Sequence, residues 1–398
     1  MSTSRVRMAE TARPALRISL FYTAYFTMVG VYQPFFPLWL ESRGLDATDI
    51  AWVMAASIFL RVAVNPGVML FADWRGERRR YAFRFALASV AVAACFPLAE
   101  GFWPVLGLVL LFALAHGPTL PLSDNIALLT ARARRLDYGR MRVWGSVAFI
   151  LASTAGGWAL AGRGDEAIVA AMVAGLLLVA AATATLPDAR PETPPGTRRA
   201  MRRTLGRLVR DPGFLLCTGA IAFNMASHAV LMGYGTIHWE KAGYDKDITG
   251  PLWAVGVISE VALFALGNRV VNRLGIAGLI ALGASAAMLR WAGTALTTDL
   301  WLLAPVQMLH GFTFAATHLG GMIYLQRHVP PEISATAQGL YSSIAMGGAL
   351  GCALLVAGPL YESFGGDAFW FMSALSACSL LLAGVLARRM RRSTPPQG

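Results

Sequence analysis

Charged residues inside apolar stretches are the side chains of this sequence whose type and position could do chemistry. Five of them lie within or at the start of long apolar runs: Arg61, Asp124, Arg142, Glu260 and Arg290. A charge at the depth of a membrane costs about 2.5–3.5 kcal/mol on insertion scales, so we expect these residues to face a bundle interior or a water-filled cavity. Burial disfavours an ionised carboxylate and a nearby arginine favours it. A carboxylate that moves between two such environments, here Glu260 or Asp124, can therefore take up a proton and release it.

Histidines and uncharged polar residues accompany these charges. Four of the six histidines also lie inside apolar runs: His116, His228, His310 and His318. Three runs carry polar stripes at helical spacing: Gln307, His310, Thr313, Thr317 and His318 on one, Tyr22, Tyr25, Tyr32 and Gln33 on another, and Asn224, Ser227 and His228 on a third. Such stripes either line a water-filled cavity or form hydrogen bonds between helices. We expect the serines and threonines to do the latter, whereas the histidines leave both interpretations open.

Twelve apolar runs supply the elements that must position these residues. They cover residues 16–40, 48–71, 82–99, 103–127, 142–161, 166–186, 213–238, 248–270, 275–296, 300–325, 336–360 and 368–387. A helix that crosses a membrane takes about 20 apolar residues. The chain is 56% hydrophobic with 14% charged residues, whereas a soluble domain has about 25% charged residues. The composition therefore excludes an ordinary soluble protein and predicts an all-α integral membrane protein with twelve transmembrane helices.

The basic residues of the connecting segments predict the topology. Arginines crowd into the N-terminus, residues 75–80, residues 132–142, a central polar segment and the C-terminal tail, and the alternate loops hold few. Because basic loops stay in the cytoplasm, we expect both termini and the central segment to lie there, in a bacterial inner membrane. The net charge of +12 then needs no nucleic-acid partner.

The two halves of the sequence repeat with a shift of 199 residues. Glu41, Gly44 and Asp46 recur as Glu240, Gly243 and Asp245, and the fourth apolar run of each half carries a His-Gly pair, His116-Gly117 and His310-Gly311, 194 residues apart. Several matches in register indicate a duplication, and transporters are built from such repeats. We predict an N-terminal six-helix bundle over 1–186, a cytoplasmic linker over 187–212 and a C-terminal six-helix bundle with a cytoplasmic tail over 213–398.

The loop FADWRGERRR suggests a gate at the cytoplasmic helix ends. Asp73 ends an apolar run, Gly76 allows a tight turn, and Arg78 opens the basic residues that follow. An acid–base pair here could hold helix ends together in one state. The alternative is a basic loop that serves only topology.

These features resemble the major facilitator superfamily, whose gating motif matches the loop at Asp73, Gly76, Arg78 and Arg79 but not at Glu77. Within it, FTMVGVYQPFFPLWL, RLDYGRMRVWGS and MLHGFTFAATHL are similar to the lactose-permease-related branch, especially its phenylpropionate-permease-like members. The resemblance covers nearly the whole chain.

The resemblance implies roles for individual residues. Asp124 and Arg142 match the substrate-binding carboxylate and arginine, and Arg290 and His310 match the proton-coupling arginine and histidine. The proton-carrying glutamate is Thr313 here, a neighbouring lysine is Gln307, and the helix-eight carboxylate is Glu260, one turn further along. Lactose is thus not the expected substrate, and Glu260 with His310 or His318 is the candidate proton carrier. Arg61 has no counterpart, and a cation there would suit an anionic substrate.

We therefore predict a monomeric proton symporter that works by alternating access and moves a small organic solute, with an aromatic or other organic acid favoured over a nucleoside or sugar. Substrate binding is assigned to Asp124, Arg142, Tyr25, Gln33, Asn224, His228 and Arg61; proton coupling to Glu260, Arg290, His310 and His318. Neither a cofactor nor a metal is expected. The alternatives are a proton-coupled efflux antiporter of the same fold, a membrane scaffold and an intramembrane enzyme, for which no nucleophile or metal motif is present.

Overall fold

The computed structural model describes residues 2–188, 206, 208–330 and 333–393. Over these residues every regular element is a helix and no strand occurs. Most of the predicted linker 187–212 lies outside the described residues, as do the side chains of residues 2–12.

Seven α-helices precede the central segment within the described residues 2–188. They are α1 (Ser2–Ser42), α2 (Ala47–Arg75), α3 (Arg78–Ala93), α4 (Phe102–His116), α5 (Thr119–Arg134), α6 (Tyr138–Leu160) and α7 (Glu166–Thr185). A short 3₁₀ turn, Phe96–Leu98, connects α3 to α4. Helices α4 and α5 form one candidate membrane span, Phe102–Arg134.

In the described part of the chain, eight α-helices follow the central segment. They are α8 (Pro212–Ala226), α9 (Ala229–Lys241), α10 (Lys246–Leu296), α11 (Leu300–Met308), α12 (Thr317–His328), α13 (Ser334–Tyr341), α14 (Ala349–Phe364) and α15 (Ala368–Ser393). Two π-helical stretches, Gly311–Ala316 and Ser342–Gly348, interrupt this half, and a 3₁₀ turn follows α14 at Gly365–Asp367. Helix α10 changes direction at Gly275, where φ is +65°.

Nine segments of the described chain are long and apolar enough to cross a membrane. They contain ten of the twelve predicted apolar runs, because the segment Thr336–Arg392 covers two of them. The other two runs, 16–40 and 300–325, lie in α1 and in α11–α12. These two runs carry the tyrosine stripe and the histidine stripe, whose polar side chains lower their mean hydropathy.

The positions at which helices begin and end follow the internal repeat of the sequence. Helices α1 and α9 end at Ser42 and Lys241, and α2 and α10 begin at Ala47 and Lys246, so both ends keep the shift of 199 residues. Gly44 and Gly243 follow the first pair of helices with φ of +80° and +95°, a left-handed conformation that ends a helix and favours glycine. The matched loop residues thus reflect matched backbone geometry.

The chain divides into two compact units. Unit 1 comprises Met1–Thr193 and Trp239–Ala254, and unit 2 comprises Pro194–His238 and Val255–Gly398. In unit 1, α1 packs along α6 and α7, and α3 lies against α4, α5 and α7. In unit 2, α8 packs against α12, α14 and α15. The predicted domain boundaries stay predictions.

A lysine with two carboxylate partners ties residues 239–254 into unit 1. Lys246 is 7% exposed, and its Nζ lies 3.1 Å from Asp165 Oδ1 and 3.3 Å from Glu240 Oε1. Glycines permit the close approach of α6 and α10 beside it. A Cβ on Gly157 would collide with the carbonyl oxygen of Lys246.

We predict that Lys246→Met destabilises the protein by about 3 kcal/mol, at the low end for a broken buried ion pair because both carboxylates keep some contact with solvent. Lys241→Met is the matched control, since the exposed Lys241–Glu41 pair belongs to a class worth about 0–1 kcal/mol. Thermal unfolding of the purified variants in detergent measures both. Equal losses for the two variants would contradict the structural role of Lys246.

Candidate functional site

Asp124 lies in unit 1, where its carboxylate is close to two tyrosine hydroxyls. The Tyr22 hydroxyl of α1 donates to Asp124 Oδ1 at 2.5 Å, and the Tyr138 hydroxyl of α6 lies 3.5 Å from the same oxygen. The two hydroxyl oxygens are 3.3 Å apart. Three helices, α1, α5 and α6, therefore meet at one carboxylate.

Arg142 lies beside this group without bonding to the carboxylate. Its guanidinium carbon is 4.0 Å from the centroid of the Phe26 ring and 5.3 Å from that of Tyr22. Among the described residues it has cation–π partners but forms no salt bridge. Aromatic rings stabilise the cation by a few tenths to about 2 kcal/mol while leaving its N–H donors available for a ligand.

A second group of unit 1 surrounds Arg61. Eight residues line a narrow pocket with a volume of about 10 Å³, room for about one water-sized group: Tyr32, Ser57, Arg61, Val109, Phe112, Ala113, His116 and Gly117. The His116 ring stacks on Tyr25 and on Phe112, with centroid distances of 5.2 Å and 5.1 Å. The stacking holds the imidazole in one orientation against the pocket.

In unit 2 the guanidinium of Arg290 is surrounded by neutral acceptors. It donates from Nη1 to His310 Nδ1 at 2.9 Å and to Thr313 Oγ1 at 3.3 Å, and from Nη2 to Gln307 Oε1 at 2.7 Å. Arg290 is 2% exposed. A buried charge is tolerated when hydrogen bonds satisfy it, and these three residues provide them.

The hydrogen bonds of Arg290 determine the tautomer of His310. Arginine has donors but no acceptor, so Nδ1 of His310 must accept and Nε2 carries the proton. That Nε2 lies 3.6 Å from Oε2 of Glu260. Glu260 therefore faces a proton donor whose other nitrogen is bound to a fixed cation.

Asn224 and His228 extend the same network. His228 Nδ1 lies 3.0 Å from the Asn224 carbonyl oxygen, which can only accept, so His228 Nε2 accepts from Thr313 Oγ1 at 3.1 Å. Asn224 Nδ2 donates to the Thr313 carbonyl at 2.6 Å. The helix is interrupted here, between α8 and α9. The side chains of Ser227 and His228 both bond to the carbonyl oxygen of Asn224 in the preceding turn.

His318 stands at the end of a stack of rings rather than in the Arg290 network. Phe314 lies between His310 and His318, with centroid distances of 5.6 Å and 5.9 Å. The π-helix Gly311–Ala316 carries Phe314, and Gly311 N donates to Ser259 Oγ at 2.9 Å. π-Helical turns within a helix frequently occur at functional sites.

The residues predicted to bind substrate thus fall into different groups. Asp124 and Arg142 share one group of unit 1, and Arg61 and Tyr25 share the pocket group. Asn224 and His228 instead lie beside Arg290 in unit 2, with the residues predicted for proton coupling. Gln33 lies in α1 and has contacts of its own, and the assignment of each residue stays a prediction.

The predicted gate is described in part. Gly76 follows α2 with φ of +67°, the left-handed turn that favours glycine. Arg78 begins α3 and is 4% exposed, and the Arg79 guanidinium donates to the Leu186 carbonyl at 3.4 Å. Asp73 lies in α2, but its side chain lies outside the described residues, so the acid–base pair stays a prediction.

Sequence reasoning missed Tyr138. It precedes Arg142 by four residues, one turn of the same helix, and this spacing could have identified it. The bonds that Gln307 and Thr313 form with Arg290 had a weaker signal, because nothing in the sequence says which polar residue faces which helix.

Comparisons with known proteins show what the whole chain resembles. The model of the MFS_1 like family matches residues 15–372. The chain is 30% identical over 378 residues to the Escherichia coli (strain K12) protein named "Probable 3-phenylpropionic acid transporter", covering 92% of this chain and 96% of that protein. It is 29% identical over 389 residues to the maltose permease of Geobacillus stearothermophilus, covering 94% of both.

A solved structure extends the comparison to the fold. A mutant of the nucleoside transporter NupG superposes with a TM-score of 0.81, covering 94% of this chain and 99% of that chain. The sequence identity is 17%. At this identity the likeness concerns the fold alone.

We predict that Gln307→Leu destabilises the protein by about 1.5–3 kcal/mol, the usual range for a hydrogen bond to a charged group, since it leaves one Arg290 donor without an acceptor. Ser376→Ala is the control, because that buried hydroxyl donates only to Met372 O of its own helix at 3.0 Å. Thermal unfolding in detergent is the measurement. If the two variants unfold at the same temperature, the acceptor role of Gln307 is wrong.

Proposed function

The chain belongs to the MFS_1 like family of the major facilitator superfamily, and on this premise we propose that it is a proton symporter of a small organic acid. The family membership makes it a multi-pass membrane protein that transports small molecules and is not an enzyme. It confirms the predicted resemblance and the all-α fold. The coupling ion and the substrate class are the subject of the proposal.

The charged residues of unit 1 are the reason for proposing an acid as the substrate. Arg61 lies in the middle of α2 and Arg142 in the second turn of α6, and one carboxylate, Asp124, accompanies them. Neither arginine forms a salt bridge with a carboxylate among the described residues. A surplus cation at membrane depth is costly unless an anion accompanies it, and a substrate carboxylate supplies one.

The two relatives differ in how far they support an organic acid as the substrate. The maltose permease and the 3-phenylpropionic acid transporter are about equally similar to this chain. A sugar carries no charge that would balance an arginine, whereas a phenylpropionic acid has one carboxylate and one ring. The surplus cation of unit 1, next to the rings of Phe26, Tyr22 and Phe112, therefore favours an aromatic acid.

Proton coupling is assigned to Glu260 with His310. When Glu260 is ionised, the N–H of His310 Nε2 faces it, and Arg290 holds His310 from the other side. Protonation of Glu260 removes this attraction. In transporters of two bundles the sites open alternately to the two sides of the membrane, so a carboxylate that is protonated on one side and ionised on the other couples the proton gradient to the solute.

Location and assembly are part of the same proposal. The arginine-rich segments indicate that both termini are cytoplasmic, and the relatives support a bacterial inner membrane. A monomer suffices, because one chain carries both charged groups.

We predict that Glu260→Gln abolishes accumulation of 3-phenylpropionate driven by an imposed pH gradient in proteoliposomes but leaves counterflow exchange intact. A neutral side chain that does not titrate cannot couple the proton, whereas substrate binding does not require coupling. Glu100→Gln, at an exposed loop position, is the control. Undiminished uphill uptake in Glu260→Gln excludes Glu260 as the proton carrier. Accumulation inside the proteoliposomes only when protons flow outward would favour the efflux antiporter.

We also predict that Arg142→Ala abolishes detectable 3-phenylpropionate binding, because it removes the cation that lies beside Asp124. Arg84→Ala is the control, since Arg84 is an exposed residue of α3 whose guanidinium lies over Tyr81. Isothermal titration of detergent-purified protein measures the affinity. Normal affinity in Arg142→Ala removes Arg142 from the binding site.

A further inference from the structure

We propose that Arg61 and His116 form the subsite that binds the carboxylate of the transported acid, an inference that rests on the proposed symport of an organic acid. The subsite is the narrow pocket of unit 1. It is separate from the Asp124–Tyr22–Tyr138 group, which shares no residue with the pocket.

The guanidinium of Arg61 has donors without acceptors. Arg61 lies in the middle of α2, and neither a hydrogen bond nor an ion pair satisfies its guanidinium among the described residues. Arg142, by contrast, is stacked on two rings, and Arg290 has three acceptors. Of these three arginines, Arg61 is the one with neither a hydrogen-bond acceptor nor a cation–π partner in the described part of the chain.

His116 lines the same pocket. Its side chain is 5% exposed, and its Nδ1 is buried without a hydrogen-bond partner in the described part of the chain. A buried polar atom without a partner is costly. Tyr25 and Phe112 both stack on the ring, and these contacts oppose its rotation out of that plane.

The lining of the pocket contains no acidic side chain among the described residues, and Tyr32 adds a hydroxyl for which no hydrogen-bond partner is found there. Arginine, histidine and tyrosine side chains can all donate to a carboxylate. A space for about one water-sized group admits one carboxylate oxygen. The volume of about 10 Å³ excludes a ring, so the aromatic part of the ligand must lie outside the pocket.

Gly117 positions the arginine. A Cβ at this residue would lie 2.9 Å from Arg61 Cγ and 2.6 Å from the Ala113 carbonyl oxygen. The absence of a side chain therefore lets the stem of Arg61 pass across α4. This gives a physical reason for the His116-Gly117 pair: His116 binds the carboxylate, and Gly117 leaves space for the side chain of Arg61.

The internal repeat supplies independent support. Arg61 and Glu260 differ by 199 residues, the shift that relates the start of α2 to the start of α10. Each is thus the fifteenth residue of its helix, and each is grouped with the histidine of a His-Gly pair, Arg61 with His116 and Glu260 with His310. The duplicated position holds a cation in unit 1 and an anion in unit 2. We infer that one binds the anionic substrate and the other the proton.

The test compares 3-phenylpropionate with its neutral amide, 3-phenylpropionamide, in binding to full-length protein. In Arg61→Gln the affinity for the acid falls by at least about 30-fold, the effect of removing one partner of a buried charge pair, and the affinity for the amide is unchanged. His116→Ala weakens acid binding by a smaller factor. Arg61→Lys keeps the charge and recovers part of the loss. Arg84→Gln, which removes an exposed arginine, leaves both affinities unchanged.

The outcomes separate the two proposals. If the wild-type protein does not bind or transport 3-phenylpropionate or other carboxylates, the proposed function fails. If the wild-type protein binds the acid and Arg61→Gln binds it equally well, the subsite is wrong and the proposed function stands. Loss of both acid and amide binding in folded Arg61→Gln and Arg61→Lys alike also overturns the subsite, because Arg61 then acts through structure. Chloride that displaces the acid from the wild type with micromolar affinity would identify the pocket as an inorganic-anion site instead.

Discussion

The hydrogen-bonding requirement of one buried cation organises unit 2. Arg290 is enclosed by apolar helices and is stabilised by His310, Thr313 and Gln307 rather than by a carboxylate. These bonds fix the tautomer of His310, turn its N–H toward Glu260 and leave Thr313 to donate to His228. Because hydrogen bonds link these side chains, a change of charge at Glu260 acts on a connected polar network rather than on one isolated side chain.

The charged side chains of unit 1 have other kinds of partners than Arg290 has. Asp124 accepts hydrogen bonds from tyrosines, Arg142 lies over aromatic rings, and Arg61 lines a pocket with an unsatisfied histidine. Arg61 and His116 Nδ1 of unit 1 have no hydrogen-bond partner among the described residues, whereas Nη1 and Nη2 of Arg290 in unit 2 each have an acceptor. The proposed symport uses this difference between the duplicated halves: the substrate anion binds in unit 1, and the proton binds at Glu260 in unit 2.

Much of the fold could be predicted from sequence because the signals are local. Apolar runs of about 20 residues, basic loops and the matched Gly44 and Gly243 turns each depend on neighbours in the chain. Most helices begin or end within a few residues of the predicted limits, but α1 begins at Ser2 and the predicted run 103–127 is divided between α4 and α5. The prediction failed to anticipate the break between α8 and α9 and the π-helix at Gly311–Ala316. Both arise from side-chain and inter-helix hydrogen bonds that no propensity or hydropathy pattern records.

The candidate site, like the fold, could be predicted from the sequence only in part. The sequence by itself determined which charges lie in the membrane helices, because a charged residue among apolar ones is visible and costly wherever it points. Only the tertiary structure decided their partners: that Asn224 and His228 belong with Arg290, that Tyr138 reaches Asp124, and that Arg61 shares a pocket with His116. Partners are set by the rotation and packing of helices distant in sequence, and hydrophobic periodicity leaves those angles undetermined.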